Sequence, residues 1–252
     1  MGKTGKKIWS LMIGFVALLG AAVLSLTLPD ATKAMAATGD IVYLAPVYDM
    51  DGDVTFENGE VVMQEKTLAE GTYSVVTKDM TVWGTADTSA TPDANGEYWY
   101  VVNVNVTRNS SLDGLVVNGK VNLILCDGAV FNMTFDVITV GEGNEFTVYG
   151  QKNGTGVLNA NTNNSSGATG AGIGGNADAP NAGKITINGG TVSVRGANNT
   201  SQVRGAGIGG ANGGNGGEIT INGGTVTAKG STYNSAGIGG GNGGDSGTIV
   251  IN

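Results

Sequence analysis

Lys184-Ile-Thr-Ile-Asn-Gly-Gly-Thr-Val-Ser-Val194 recurs as Glu218-Ile-Thr-Ile-Asn-Gly-Gly-Thr-Val-Thr-Ala228, and each copy follows a glycine-rich hexamer, Gly170-Ala-Gly-Ile-Gly-Gly175 and Gly205-Ala-Gly-Ile-Gly-Gly210. A third copy starts at Ser235-Ala-Gly-Ile-Gly-Gly240 and runs into Thr248-Ile-Val-Ile-Asn252. The central isoleucines, Ile173, Ile208 and Ile238, are spaced by 35 and 30 residues. Self-similarity at such a period marks a protein built by stacking one unit on the next. The extra residues of the longer copy, Ala197–Arg204, fall at one point of the unit, as loops leaving one corner of a regular stack do.

Each unit has an inside and an outside. Ile185 and Ile187 alternate with Thr186 and Asn188, and Val192 and Val194 with Thr191 and Ser193. Period-two alternation is the pattern of strands buried on one face. Between them, Asn188-Gly189-Gly190 fits two connections. Asn-Gly or Gly-Gly between alternating runs is a hairpin signal and would give an antiparallel meander. The preferred reading is a corner between two sides of a parallel β-solenoid, with Ala-Gly-Ile-Gly-Gly as a short third side carrying one inward Ile. Stacked coils would then bury ladders of Ile and Val, and their strands would pair coil to coil.

Working outward, earlier segments fit the same plan in degenerate form. Leu115–Val117, Val121–Leu125 and Ala129–Met133 supply three sides, and Val137–Val140, Phe146–Tyr149 and Val157–Ala160 three more. Phe146 and Val148 match Ile185 and Ile187, while Leu158 and Ala160 match Val192 and Val194. The expected fold class is therefore all-β, a parallel β-helix of about four coils spanning 113–252. An uncovered last strand leads us to expect further coils downstream.

Residues 38–112 differ in kind. They hold 12 of the 20 acidic residues found beyond residue 37, together with Trp83 and Trp99, and we expect an N-terminal β cap or small β region that covers the open core. Residues 1–37 read as a signal peptide or membrane anchor: Lys3, Lys6 and Lys7 precede the apolar run Ile8–Leu28, and Ala34-Met-Ala36 offers a small-x-small cleavage site. The run is long for a signal peptide, which keeps an uncleaved N-terminal anchor helix open. Either way the chain is expected to be exported.

Composition narrows the chemistry. Beyond residue 37 there are 9 basic and 20 acidic residues, a net charge of −11, which argues against nucleic acid and anionic membrane as partners. Histidine is absent from the sequence, which removes imidazole bases, His-ligated metals and Ser-His-Asp triads. The single cysteine, Cys126, excludes an intrachain disulfide and reads as a buried small hydrophobe.

Candidate sites are few. Asp49, Asp51 and Asp53 could offer oxygen ligands to Ca²⁺, though without the spacing and distal Glu of an EF-hand loop; an acidic turn is the plainer reading, and no other cofactor is implied. Gly240–Gly247 fits part of a Ca²⁺-binding β-roll repeat, but its nine-residue period is not sustained, so a plain glycine loop is preferred. Thr186 and Thr220, Thr191 and Thr225, and Asn188 and Asn222 hold equivalent positions in the copies, and regularly spaced hydroxyls and amides on a flat sheet suit a sugar or ordered water. The plainer reading is a soluble face with asparagines stacked at the corner. Carboxylates in the repeats occupy unlike offsets and form no obvious glycosidase pair.

At this point a resemblance enters. Trp99-Tyr-Val-Val102, Val121-Asn-Leu-Ile-Leu-Cys-Asp-Gly128, Ile138-Thr-Val-Gly-Glu-Gly-Asn144 and Phe146-Thr-Val-Tyr-Gly150, followed by the AGIGG and ITINGGTV copies, resemble a family of glycine-rich repeat proteins exported by Gram-positive bacteria. The resemblance spans roughly 72–252. It implies a secreted or cell-surface β-helix, one module of a longer protein, with some related modules binding carbohydrate; it carries over no catalytic residues. The expected function is a non-enzymatic surface module that binds a glycan or a surface protein, or acts as a spacer. A polysaccharide lyase or hydrolase and an ice-binding solenoid are the alternatives.

Overall fold

The computed structural model describes residues 39–109, 114–134, 137–161, 170–197, 205–232 and 234–252. The expected targeting segment and most of the Ala197–Arg204 insertion lie outside them. Every regular element among the described residues is a strand.

The chain opens with β1 (Ile41–Pro46), β2 (Phe56–Glu57), β3 (Glu60–Val61) and β4 (Met63–Leu68), one long hairpin in which β1 pairs antiparallel with β4 and β2 with β3. From Ser74 onward all strand pairing is parallel. Successive coils comprise β5 (Ser74–Val75) and β6 (Val82–Gly84); β7 (Glu97–Val102), β8 (Val106–Arg108) and β9 (Leu115–Asn118); β10 (Lys120–Leu125), β11 (Val130–Thr134) and β12 (Ile138–Thr139). They continue with β13 (Glu145–Gly150), β14 (Val157–Asn161) and β15 (Ile173–Gly174); β16 (Lys184–Ile187), β17 (Thr191–Arg195) and β18 (Ile208–Gly209); β19 (Glu218–Ile221), β20 (Thr225–Lys229) and β21 (Ile238–Gly239); and β22 (Thr248–Ile251) begins another. Like sides stack into three sheets: seven strands from β5 to β22, five from β8 to β20, and six from β6 to β21.

This is the parallel β-helix, and Asn-Gly-Gly is its corner rather than a hairpin turn. The expected equivalences hold in register: Phe146 and Val148 face Ile185 and Ile187, and Leu158 and Ala160 face Val192 and Val194. The third side carries the apolar column Leu115–Ile138–Ile173–Ile208–Ile238, to which the early coils add Val117 and Val140. All but Ile238 are fully buried. Each buried branched side chain contributes roughly 1.5–3 kcal/mol. A full coil such as the one holding Ile185, Ile187, Val192, Val194 and Ile208 is therefore held largely by five residues.

The sheets reach further towards the N-terminus than the boundary at residue 113. β5 to β8 already belong to them, so three-sided winding occupies much of the stretch assigned to a cap, and the described residues form one unit. The early coils escaped recognition because they fill their interior with aromatic rings. Trp83 is fully buried, stacks on Tyr100 at 4.8 Å and approaches Phe131 and Phe146 at 6.0 and 6.1 Å. Large rings at the start give way to Ile and Val later, so no sequence repeat links the two ends.

The AGIGG glycines answer to backbone geometry. Gly174, Gly209 and Gly239 form one column at φ +136°, +130° and +130°. A Cβ on Gly174 would lie 2.0 Å from the carbonyl oxygen of Gly209, and one on Gly209 1.9 Å from that of Gly239. The missing side chain is where the next coil's carbonyl sits, at a φ other residues rarely adopt.

Candidate functional site

The outward residues of the seven-stranded sheet form two straight rows. One reads Trp99, Asn122, Thr147, Thr186, Thr220 and Val250; the other Glu97, Lys120, Glu145, Lys184, Glu218 and Thr248. Steps along a row follow the strand spacing of about 4.8 Å. The second row alternates in sign along five coils, so no like charges are adjacent, which removes a cross-strand repulsion. The close ion pair among the described residues is elsewhere, between exposed Lys78 and Asp79 at 3.8 Å.

The expected hydroxyl pairs are brought together. Thr186 lies beside Thr220, and Thr191 beside Thr225 on the five-stranded sheet, where Asn132, Asn159, Ser193 and Thr227 form a parallel outward row. Thr147 extends the first pair to three coils, a position legible from the Phe146–Ile185 match.

Asn188 and Asn222 follow the plainer reading, asparagines stacked at the corner, and their placement among outward ligand groups is corrected. They are 3% and 5% exposed and bond to one another rather than face solvent. The Nδ2 of Asn222 donates to Oδ1 of Asn188 at 2.8 Å, and Nδ2 of Asn252 donates to Oδ1 of Asn222 at 2.7 Å. A buried amide without a partner is costly, so an identical amide one coil away is the natural solution at a corner. Tyr149 stands at the N-terminal end of this ladder and shares a hydrogen bond with Asn188; burial chiefly, then Tyr43 and Glu97, pushes its phenol above the ordinary value.

Asp49, Asp51 and Asp53 form the acidic turn of the plainer reading. Asp49 Oδ1 accepts the backbone N–H groups of Asp51 at 2.9 Å and Asp53 at 3.0 Å, closing the turn between β1 and β2 that the Tyr48–Val54 bridge brackets. Asp49, Asp51 and Asp53 do not converge, and no metal-holding cluster occurs among the described residues.

At the corner leading into the seven-stranded sheet, a groove of about 500 Å³ crosses successive coils, lined by Glu142, Asn144, Glu145, Asn181, Lys184, Asn215 and Glu218 among others. Its asparagines fasten coil to coil: Oδ1 of Asn144 accepts Gly119 N at 2.8 Å, that of Asn181 accepts Asn215 N at 3.0 Å, and that of Asn215 accepts Asp245 N at 2.9 Å. Asn144 Nδ2 also donates to Gly141 O at 3.1 Å and Asn181 Nδ2 to Glu142 Oε2 at 3.2 Å, so what the groove presents beside the threonine row is chiefly its charged ends.

An outer aromatic cluster went unread in the sequence. Tyr43 of β1 packs on Trp99 at 5.3 Å and on Tyr149 at 4.9 Å, and Trp99 stacks on Tyr149 at 5.6 Å. Together with the bond from Gln151 Nε2 to Val42 O at 2.7 Å, it ties the hairpin to the side of the helix. The available signal was parity: Trp99 falls between the inward Tyr98 and Tyr100. Cys126 is buried as expected, and burial, then Asp127, pushes its thiol up to about 11.

Compared with known proteins, residues 185–214 and 219–242 match a family model described as a beta helix repeat. No curated protein and no solved structure matches the chain.

Proposed function

We propose that this beta-helix repeat chain is an exported, non-enzymatic scaffold whose outward polar rows bind an extended glycan. The observation that carries it is the coil-to-coil register of Thr147, Thr186 and Thr220 beside the row Glu145, Lys184 and Glu218 and the adjoining groove. A linear polymer of hydroxyl-bearing units is complementary to such a surface, because equivalent donors and acceptors recur at a fixed step. The basic and apolar N-terminal segment supports export, and the resemblance to glycine-rich surface proteins of Gram-positive bacteria supports a wall or secreted setting.

A lyase or hydrolase is less well supported. Glu142, Lys184 and Glu218 are exposed, and Lys184 stands between Glu145 and Glu218 in its row, whereas a general acid is typically desolvated. Ice binding is disfavoured by the charged row beside the threonines, which holds water strongly.

The test is a glycan array probed with the chain and with a Thr186→Glu/Thr220→Glu variant. Saturable binding to a polymeric glycan that the variant loses, at an unchanged melting temperature, supports the proposal. No binding above background leaves a spacer, and turnover of any polysaccharide replaces it with an enzyme.

A further inference from the structure

At the N-terminal end of the helix, segments 71–74 and 89–94 border an open cleft of about 390 Å³. That lies within the roughly 300–1,000 Å³ typical of small-molecule sites. It shares no lining residue with the groove at the coil corners and meets the polar rows only at their N-terminal end, through the bonds of Asp93 to Glu97 and Trp99. Tyr73 and Pro92 supply ring surfaces, Ser74, Ser89 and Thr91 supply hydroxyls, and Asp93 supplies a carboxylate. Among the described residues no lysine or arginine lines it.

The walls are set in place by their own hydrogen bonds. Asp93 Oδ1 accepts the N–H groups of Asn95 at 2.8 Å and Glu97 at 3.0 Å, while Oδ2 accepts the indole N–H of Trp99 at 3.0 Å. Asp87 Oδ1 accepts both N–H and Oγ–H of Ser89, at 2.9 and 2.6 Å. Tyr73 is anchored by its hydroxyl, which donates to Gly39 O at 2.8 Å. A pre-formed cleft loses less on binding than one that must be ordered.

We propose that this cleft binds a single neutral sugar residue. Ring surfaces suit the C–H face of a pyranose, the hydroxyls of Ser74 and Thr91 can donate and accept, Ser89, which donates to Asp87, can accept, and Asp93 Oδ2, which takes one protein N–H, can accept from one sugar hydroxyl. The absence of cationic lining disfavours phosphate and uronate. The assignment stands on the cleft alone, so it and the extended-face proposal can fail separately.

Amide chemical shifts of the isotope-labelled chain, titrated to tens of millimolar with methyl β-D-glucopyranoside, methyl β-D-galactopyranoside, methyl α-D-mannopyranoside and N-acetylglucosamine, test it. At least one sugar is expected to give saturable shifts at residues 71–74 and 89–94 and at the Trp99 indole N–H, with inorganic phosphate giving none. Thr91→Trp, which fills the cleft, should weaken binding by about tenfold or more, and Ser74→Ala by about threefold. Should Thr91→Trp lower the melting temperature, Ser74→Ala and the shift map decide. No saturation with any of the four sugars, shifts confined to the threonine row, saturable phosphate binding, or unchanged affinity in both variants would overturn the proposal.

Discussion

Gly209→Ala is the sharpest perturbation of the stack. Gly209 sits at φ +130°, and its added Cβ would lie 1.9 Å from the carbonyl oxygen of Gly239, where real Cβ contacts essentially never fall below 3.0 Å. Relief requires a displacement of roughly 1 Å in backbone rather than in a flexible side-chain end. The hydrogen bonds there, Ile208 N to Gly237 O and Gly210 N to Gly239 O, are both 2.9 Å long and would be pulled out of range. Two lost bonds cost about 1 kcal/mol each, and the unfavourable φ adds about 1–3 kcal/mol. The expected loss is therefore about 3–5 kcal/mol, a large part of the stability of an ordinary domain. Gly213→Ala is the control: φ is +75° but nothing lies within 4 Å of its added Cβ, so only about 1–2 kcal/mol of backbone strain applies. Urea unfolding followed by far-UV circular dichroism measures both. Equal losses in the two variants would refute the claim that coil contact, rather than local conformation, dictates this glycine.

Other expectations follow from the same geometry. Asn222→Ala removes the middle rung of the asparagine ladder and strands the Asn188 oxygen, and should cost about 1–3 kcal/mol in the same assay. The thiol of Cys126, buried and raised to about 11, should resist an aromatic disulfide reagent at pH 8 until the chain is unfolded. Asp87, Asp93 and Asp127 each feel burial, which pushes the carboxyl up, but hydrogen bonds to the carboxylate outweigh it and hold all three below the ordinary value. Groups depressed in the folded state contribute stability that is complete above the unfolded value near 3.9 and is lost as pH falls through the lower folded value. Melting temperature should thus show no loss from these groups down to about pH 5 and fall below about pH 4; a flat profile to about pH 2 would contradict it.

The solenoid was legible where its coils repeat. Alternation of Ile185 and Ile187 with Thr186, and the shared positions of Ile173, Ile208 and Ile238, determine both sides and register, because inward positions must meet inward positions one coil on. Coils before Leu115 were not legible, since Trp83 and Tyr100 fill the volume that several aliphatics occupy later and leave no period to find. The outward placement of Thr186, Thr191, Thr220 and Thr225 followed from parity alone, although the two pairs lie on two sheets rather than one. Asn188 and Asn222 were legible as a corner stack from their shared position in the copies, but not from parity, which places them outward: they follow their strands at a corner, where mutual hydrogen bonding and burial override alternation. The charged row was present in the sequence, as Lys184 and Glu218 at one position, but its sign alternation appears only when Glu97, Lys120 and Glu145 are aligned by the sheet. Tyr43 and Trp99 lie far apart in the chain, and no local pattern links them.

Coil-on-coil stacking is tested most directly by the reach between engineered thiols. In a Cys126→Ala background, Thr186→Cys/Thr220→Cys places thiols on neighbouring parallel strands about 4.8 Å apart, whereas Thr186→Cys/Ser193→Cys places them on two different sheets. Dibromobimane, which fluoresces on bridging two close thiols, should light up with the first pair and stay dark with the second. Fluorescence from the second pair and not the first would mean that β16 and β17 form a hairpin, and the stacked-coil account would be contradicted.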